Sequence, residues 1–223
     1  MADYFTVFSL PRHLQIDTAA LESDFYAQSR KLHPDRFASK PVAEQEAALA
    51  ASSQLNDAYR TLKDPILRTQ YLLTLEGVEL EEQSKAATEA ARTSGTEKKQ
   101  LIPPELLEEV FELNMQLMEM KAAKQMGDDA DAALSENSAL SENSALSGHS
   151  ALRGDLEAAA QTFHAKMSQT QSELEALWQR WDSAVDAQDT AAQSATKDAM
   201  VALLNKRSYL RNLVRDVTAA LES

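Results

Sequence analysis

The chain has 223 residues, no cysteine and four histidines, which excludes disulfide frameworks, thiolate metal centres and cysteine nucleophiles. Lys plus Arg number 22 against 35 Asp plus Glu, a formal net charge of -13, the wrong sign for a general nucleic-acid binder. Hydrophobic residues are 43 % but aromatics only 6 %, and the wealth of Ala, Leu, Glu and Gln predicts an all-α protein.

The N-terminal stretch MADYFTVFSLPRH lacks a basic leader or long apolar run, and no segment reaches membrane-spanning length, so a cytoplasmic protein without a membrane anchor is expected. Asp17 is placed to cap a helix over TAALESDFYAQSRKL, with Ile16 and Leu21 as a hydrophobic staple. Its inward face carries Leu21, Phe25 and Leu32. Pro34 ends that helix near His33, because it restricts the preceding residue to extended backbone and has no N–H to donate. After the loop HPDRFASKP, the spacing of Ala51, Leu55, Ala58 and Leu62 predicts a second helix from Val42 to Lys63, antiparallel to the first. Asp64 and Pro65 then read as N-cap and N1 of a short helix that stops at Gly77.

Residues 84–100 contain no large apolar side chain and read as a linker or frayed helix. The domain plan is 1–77, a linker at 78–102, and a bundle over 103–223 with a low-complexity insertion at 127–153. The hexapeptide ALSENS, ALSENS, ALSGHS lies in that insertion, from Ala133 to Ser150, and reads as surface chain between helices. Three helices are expected in the bundle, at about 104–126, 155–187 and 190–221. The first presents a core stripe of Leu106, Val110, Leu113, Leu117 and Met120. On the middle one, Leu156, Phe163, Met167, Leu174, Trp178, Trp181 and Val185 share a stripe; on the last, Met200, Leu203, Leu210, Val214, Val217 and Leu221 do.

The first bundle helix has apolar residues to spare. Leu107, Phe111, Met115 and Met118 form a second stripe roughly 130° from the first, wider than one buried face requires. Tyr209 and Leu213 on the last helix lie roughly 80° to 120° off their core stripe and are placed to extend the patch. Such a surface suits a protein partner, the seam between the domains, or association of two copies.

The sharpest local signal is His33-Pro34-Asp35 between two helices, flanked by Arg30 and Lys31 before and Arg36 and Phe37 after. Proline stiffens the loop so that the carboxylate is presented in a fixed direction, suited to an arginine on a partner, and the bases steer an acidic surface. A bare tripeptide of this kind serves equally well as a helix stop with a local turn bond. The wider context DYFTVFSLP, KLHPDRF and LNDAYRTLKDPILRTQYLL resembles the J domain of the HscB family of iron-sulfur co-chaperones, over most of residues 3–77.

The resemblance implies a J domain followed by a three-helix bundle. It implies that Arg30, Lys31, His33, Pro34, Asp35 and Arg36 dock on a DnaK/HscA-type chaperone and stimulate its ATP hydrolysis. It further implies that the bundle holds an IscU-type scaffold protein. LLEEVFELN resembles the family's apolar and acidic segment there, which implies Leu107, Phe111, Glu112 and Tyr209 in scaffold binding; Met115 and Leu213 join them from the second stripe. No cofactor, metal ligand or catalytic residue of the chain's own is implied. The linker and the hexapeptide repeat depart from the family pattern as insertions, and the missing cysteine-bearing N-terminal extension of some eukaryotic relatives points to a bacterial-type member.

Two competing functions remain on sequence grounds. A general J-domain protein would accept many unfolded apolar clients. An all-α enzyme using His33 and Asp35 as acid and base, with Tyr4 or a nearby serine, lacks oxyanion donors and a dry pocket. His13, His33, His149 and His164 are scattered over different elements, without the spacing of a helical metal site.

Overall fold

A computed structural model describes residues 3–78, 103–131 and 139–222, and these are helical, with no strand among the described residues. The linker and the first hexapeptide copy fall largely outside them. The elements are α1 (Tyr4–Val7), α2 (Thr18–Leu32), a 3-10 turn (Pro34–Arg36), α3 (Val42–Lys63), α4 (Pro65–Leu75), a 3-10 turn (Pro104–Leu106), α5 (Leu107–Asp131), α6 (Ala139–Asp186) and α7 (Thr190–Glu222). The chain forms two compact units, Met1–Ala86 with Leu174–Ala202, and Ala87–Glu173 with Leu203–Ser223.

In the first unit, side-chain caps set the starts of α1, α2 and α4, while α3 begins after Pro41 without one. Asp3 caps α1 by accepting from the Thr6 N–H at 2.8 Å, and Asp17 caps α2 through Ala19 and Ala20. Burial pushes the Asp3 carboxyl up, but the Thr6 N–H, the Arg12 guanidinium at 2.9 Å and the Thr6 hydroxyl more than offset this and hold it below the ordinary range. Asp64 caps α4 with Pro65 at N1, and the chain leaves α4 through Gly77 at φ 78, a conformation that favours glycine. Lys63 pairs with Glu22 at 3.6 Å while Phe25 stacks on Tyr59 at 4.1 Å. One residue number rises as its partner falls, the register of an antiparallel hairpin of α2 and α3. Leu21 is buried as expected, whereas Phe25 and Leu32 are half-buried.

The same unit takes in the end of α6. The Trp181 indole N–H donates to the Arg12 carbonyl at 2.9 Å, and His13 Nε2 lies 3.0 Å from Asp186 Oδ1. Asp182 accepts from two successive backbone N–H groups, Leu14 at 2.6 Å and Gln15 at 2.9 Å. Burial pushes its carboxyl up, against the pull of those two donors, His13 and Arg68. Arg68 is itself buried and donates to the Leu62 carbonyl at 2.6 Å; burial disfavours its charge, and Asp182 and Asp64 counter that. Asp182→Asn turns an acceptor into an NH2 facing a backbone donor, and is expected to cost about 2 kcal/mol of stability. A urea midpoint within error of wild type, at unchanged slope, would refute that account.

In the second unit, Leu106, Val110, Leu113, Met120, Leu152, Leu156, Phe163, Leu210, Leu213 and Val217 form one core, with Leu117, Met167, Tyr209, Val214 and Leu221 packed against it. The first core stripe is therefore as expected, but three readings change. The middle helix begins at Ala139 rather than near 155, so the second and third hexapeptides are helical. Alanine, leucine and glutamate are good helix formers, and low complexity alone does not prevent a helix. Leu213 lies in the core rather than off it, and the buried leucine near the start of the stripe is Leu204, not Leu203. Helix α7 serves both units, 190–202 in the first and 203–222 in the second, and a single stripe drawn along it misplaces residues.

Candidate functional site

Two surfaces carry the residues singled out by sequence. The first is the turn after α2. Arg30 and Lys31 occupy the last turn of α2 and are exposed. His33 is the C-cap, with φ -59 and ψ 130, the extended backbone that Pro34 imposes. Pro34, Asp35 and Arg36 then make one 3-10 turn, closed by the Phe37 N–H on the Pro34 carbonyl at 2.9 Å.

The His33 and Asp35 side chains are 57 % and 89 % exposed, so the turn presents them to solvent. They sit side by side: His33 Nδ1 is 3.4 Å from both the Asp35 N–H nitrogen and its Oδ2. The Arg36 guanidinium reaches back to the Arg30 carbonyl at 3.4 Å. That contact offers one of the orphan acceptors of the helix end a donor. It also brings Arg36 to the segment that carries Arg30 and Lys31.

Gln45 was not flagged by the sequence. Its amide donates to the Lys40 carbonyl at 2.8 Å and the Ala38 carbonyl at 3.4 Å, tying the descending half of the loop to the first turns of α3. A glutamine among exposed polar residues carries no sequence signal for that job. Half-buried Phe37 anchors the loop on the other side. The arrangement is a stiffened turn with a projecting carboxylate, an imidazole and nearby bases.

The second surface lies on α5. Leu107, Phe111, Met115 and Met118 are 52 %, 67 %, 57 % and 73 % exposed, while Leu106, Val110, Leu113 and Met120 of the same segment are buried. Glu112 is exposed beside them. At this end of the unit the Glu109 carboxylate pairs with the Lys166 ammonium, which holds Glu109 below the ordinary carboxylate range, and Lys206 pairs with Glu105 at 3.5 Å. Tyr209 is half-buried against the core, and burial, followed by the Asp216 charge, pushes its phenol up. Leu213 is only 8 % exposed and is spent on the core. The α5 residues thus share an open face, whereas Tyr209 is half-buried against the core and Leu213 is part of it.

Among the described residues no group of His, Asp and Glu is placed to hold a metal ion, and no helix is long and apolar enough to cross a membrane.

No family model matches the chain. Among solved structures, it is similar to the human co-chaperone protein HscB, at 22 % identity with a TM-score of 0.54, over 98 % of this chain and 82 % of that one. It is also similar to the chaperone HscB from Vibrio cholerae, at 22 % identity with a TM-score of 0.47, over 95 % and 97 % of the two chains. The chain has the all-α fold of the human HscB structure.

Proposed function

We propose that the chain is a cytoplasmic HscB-type co-chaperone for iron-sulfur cluster assembly. The first 77 residues act as a J domain that stimulates ATP hydrolysis by a DnaK/HscA-type chaperone, and residues 103–223 present an IscU-type scaffold protein to that chaperone as client. The observation that carries this reading is the projecting His33-Pro34-Asp35 turn, within the fold of a protein named as a co-chaperone.

The chemistry of the turn favours an activator over an enzyme. Asp35 is nearly fully solvated, so a partner's guanidinium can reach it and form a charge-assisted pair. Arg30, Lys31 and Arg36 form a basic cluster on a chain of net charge -13, which steers an acidic partner surface to this one place. Joining the client face and the turn in one chain raises the effective concentration of scaffold at the chaperone without a strong contact to either.

Single-turnover ATP hydrolysis by the chaperone tests the reading. The chain alone is expected to accelerate it at least about fivefold, with a further rise when the scaffold is added. Acceleration by unfolded apolar peptides but not by the scaffold would make it a general J-domain protein, and no acceleration with a verified chaperone would end the co-chaperone reading.

A further inference from the structure

The open face on α5 has a chemical property that the docking role does not use. Two of its four large apolar residues are methionines, Met115 and Met118, 57 % and 73 % exposed. In contrast, Met120 is 8 % exposed, Met200 is fully buried, and Met167 is packed against the core of the second unit. The chain has no cysteine, so no thiol competes for an oxidant. Exposure and thioether chemistry together make these two sulfurs more reactive toward two-electron oxidation than those of Met120, Met167 and Met200.

The geometry points to Met115 and Met118 as an oxidation-sensitive modification site, at which a peroxide converts the apolar face into a polar one and releases the scaffold. In the reaction the thioether sulfur attacks one oxygen of hydrogen peroxide. The S–O bond forms as the O–O bond breaks, the sulfur loses two electrons, and the second oxygen leaves as water. The sulfoxide is a strong acceptor on a flexible side chain, so burying it against an apolar partner costs free energy unless a donor is found. Met115 is four residues from Phe111 and Met118 three from Met115, neighbouring positions on one helix, so the polar groups arise beside the aromatic anchor. Sulfoxide reductases, with two electrons and two protons from a thiol reductant that ends as a disulfide, return the sulfoxide to the thioether and release its oxygen as water, so the change is reversible.

This inference rests on the scaffold-docking reading, and its test separates the two. The full chain is treated with hydrogen peroxide, the excess is removed with catalase, and sulfoxides are mapped by peptide mass spectrometry before scaffold affinity is measured. Met115 and Met118 are expected to oxidise at least about tenfold faster than Met120 and Met200, and oxidation to weaken scaffold binding about tenfold, with recovery after reductase treatment. The variant Met115→Leu/Met118→Leu, whatever its own starting affinity, should keep that affinity within about twofold through the same treatment. Sulfoxides at both positions with unchanged affinity, or Met120 and Met200 reacting equally fast, would overturn the switch. Failure of the untreated chain to bind scaffold overturns the docking reading itself and the switch with it.

Discussion

His33→Gln is expected to remove the stimulation of chaperone ATP hydrolysis while leaving the stability of the chain within about 0.5 kcal/mol of wild type. The imidazole is more than half exposed, and its contacts are two long ones of 3.4 Å to Asp35, so the fold depends little on it. Its value lies in what a partner meets: a planar ring held at the helix end by the extended backbone before Pro34. Asp35→Asn makes the sharper comparison, since it keeps the shape and removes the charge. Losing one member of a desolvated charge pair costs about 2 to 5 kcal/mol, or roughly 30-fold in affinity at the lower end. Both variants are to be measured in single-turnover hydrolysis, with thermal unfolding as the control. Wild-type stimulation by either would move the chaperone contact away from this turn.

Phe111→Ala should weaken scaffold binding by about 2 kcal/mol or more, roughly 30-fold, as expected for an aromatic anchor at the centre of an interface. Phe111 is 67 % exposed in the free chain, so its removal leaves no cavity and little change in unfolding temperature. The double variant Phe111→Ala/Tyr209→Ala should bind more weakly still. Tyr209 also packs on the core, however, and part of its effect will register as lost stability. Calorimetric titration of scaffold into each variant, read beside its melting curve, separates contact from fold. Chaperone stimulation without scaffold is expected to depend on the turn of the other unit, and its retention would report that the variant remains intact. Unaltered scaffold affinity for both variants would place the client elsewhere on the chain.

How much of this could be read from the sequence varies with the range of the interactions. Helices α2 to α4 were legible because their ends are written locally: Asp17 and Asp64 as caps, Pro34 as a stop, Gly77 as the exit, whereas the single turn of α1 was missed. The second apolar arc of α5 was legible for a related reason, since it is wider than one buried face requires, but the sequence did not decide between an open face, a seam between the domains and a contact between copies. The start of α6 was misjudged because a six-residue repeat looks like filler, while its alanines and leucines still favour helix. Leu213 was misplaced because periodicity ranks the faces of a helix but does not say that α7 packs in two units. Asp182 and Gln45 carry no local signature. Each satisfies backbone groups that only the folded chain brings within reach, and in the case of Asp182 these lie more than 160 residues away in sequence.

That separation bears on how the protein is made. Translation delivers α1 to α4 early, but the Arg12 carbonyl must wait for Trp181, 169 residues later, before its hydrogen bond can form. Closing so long a loop costs entropy that the contacts at its ends must offset, and it comes after local helix formation. On the ribosome, therefore, the turn bearing His33 is built from local structure well before the unit around it is complete. The nascent chain then has a period in which its early apolar side chains, Leu14 among them, await a covering that is still unsynthesised.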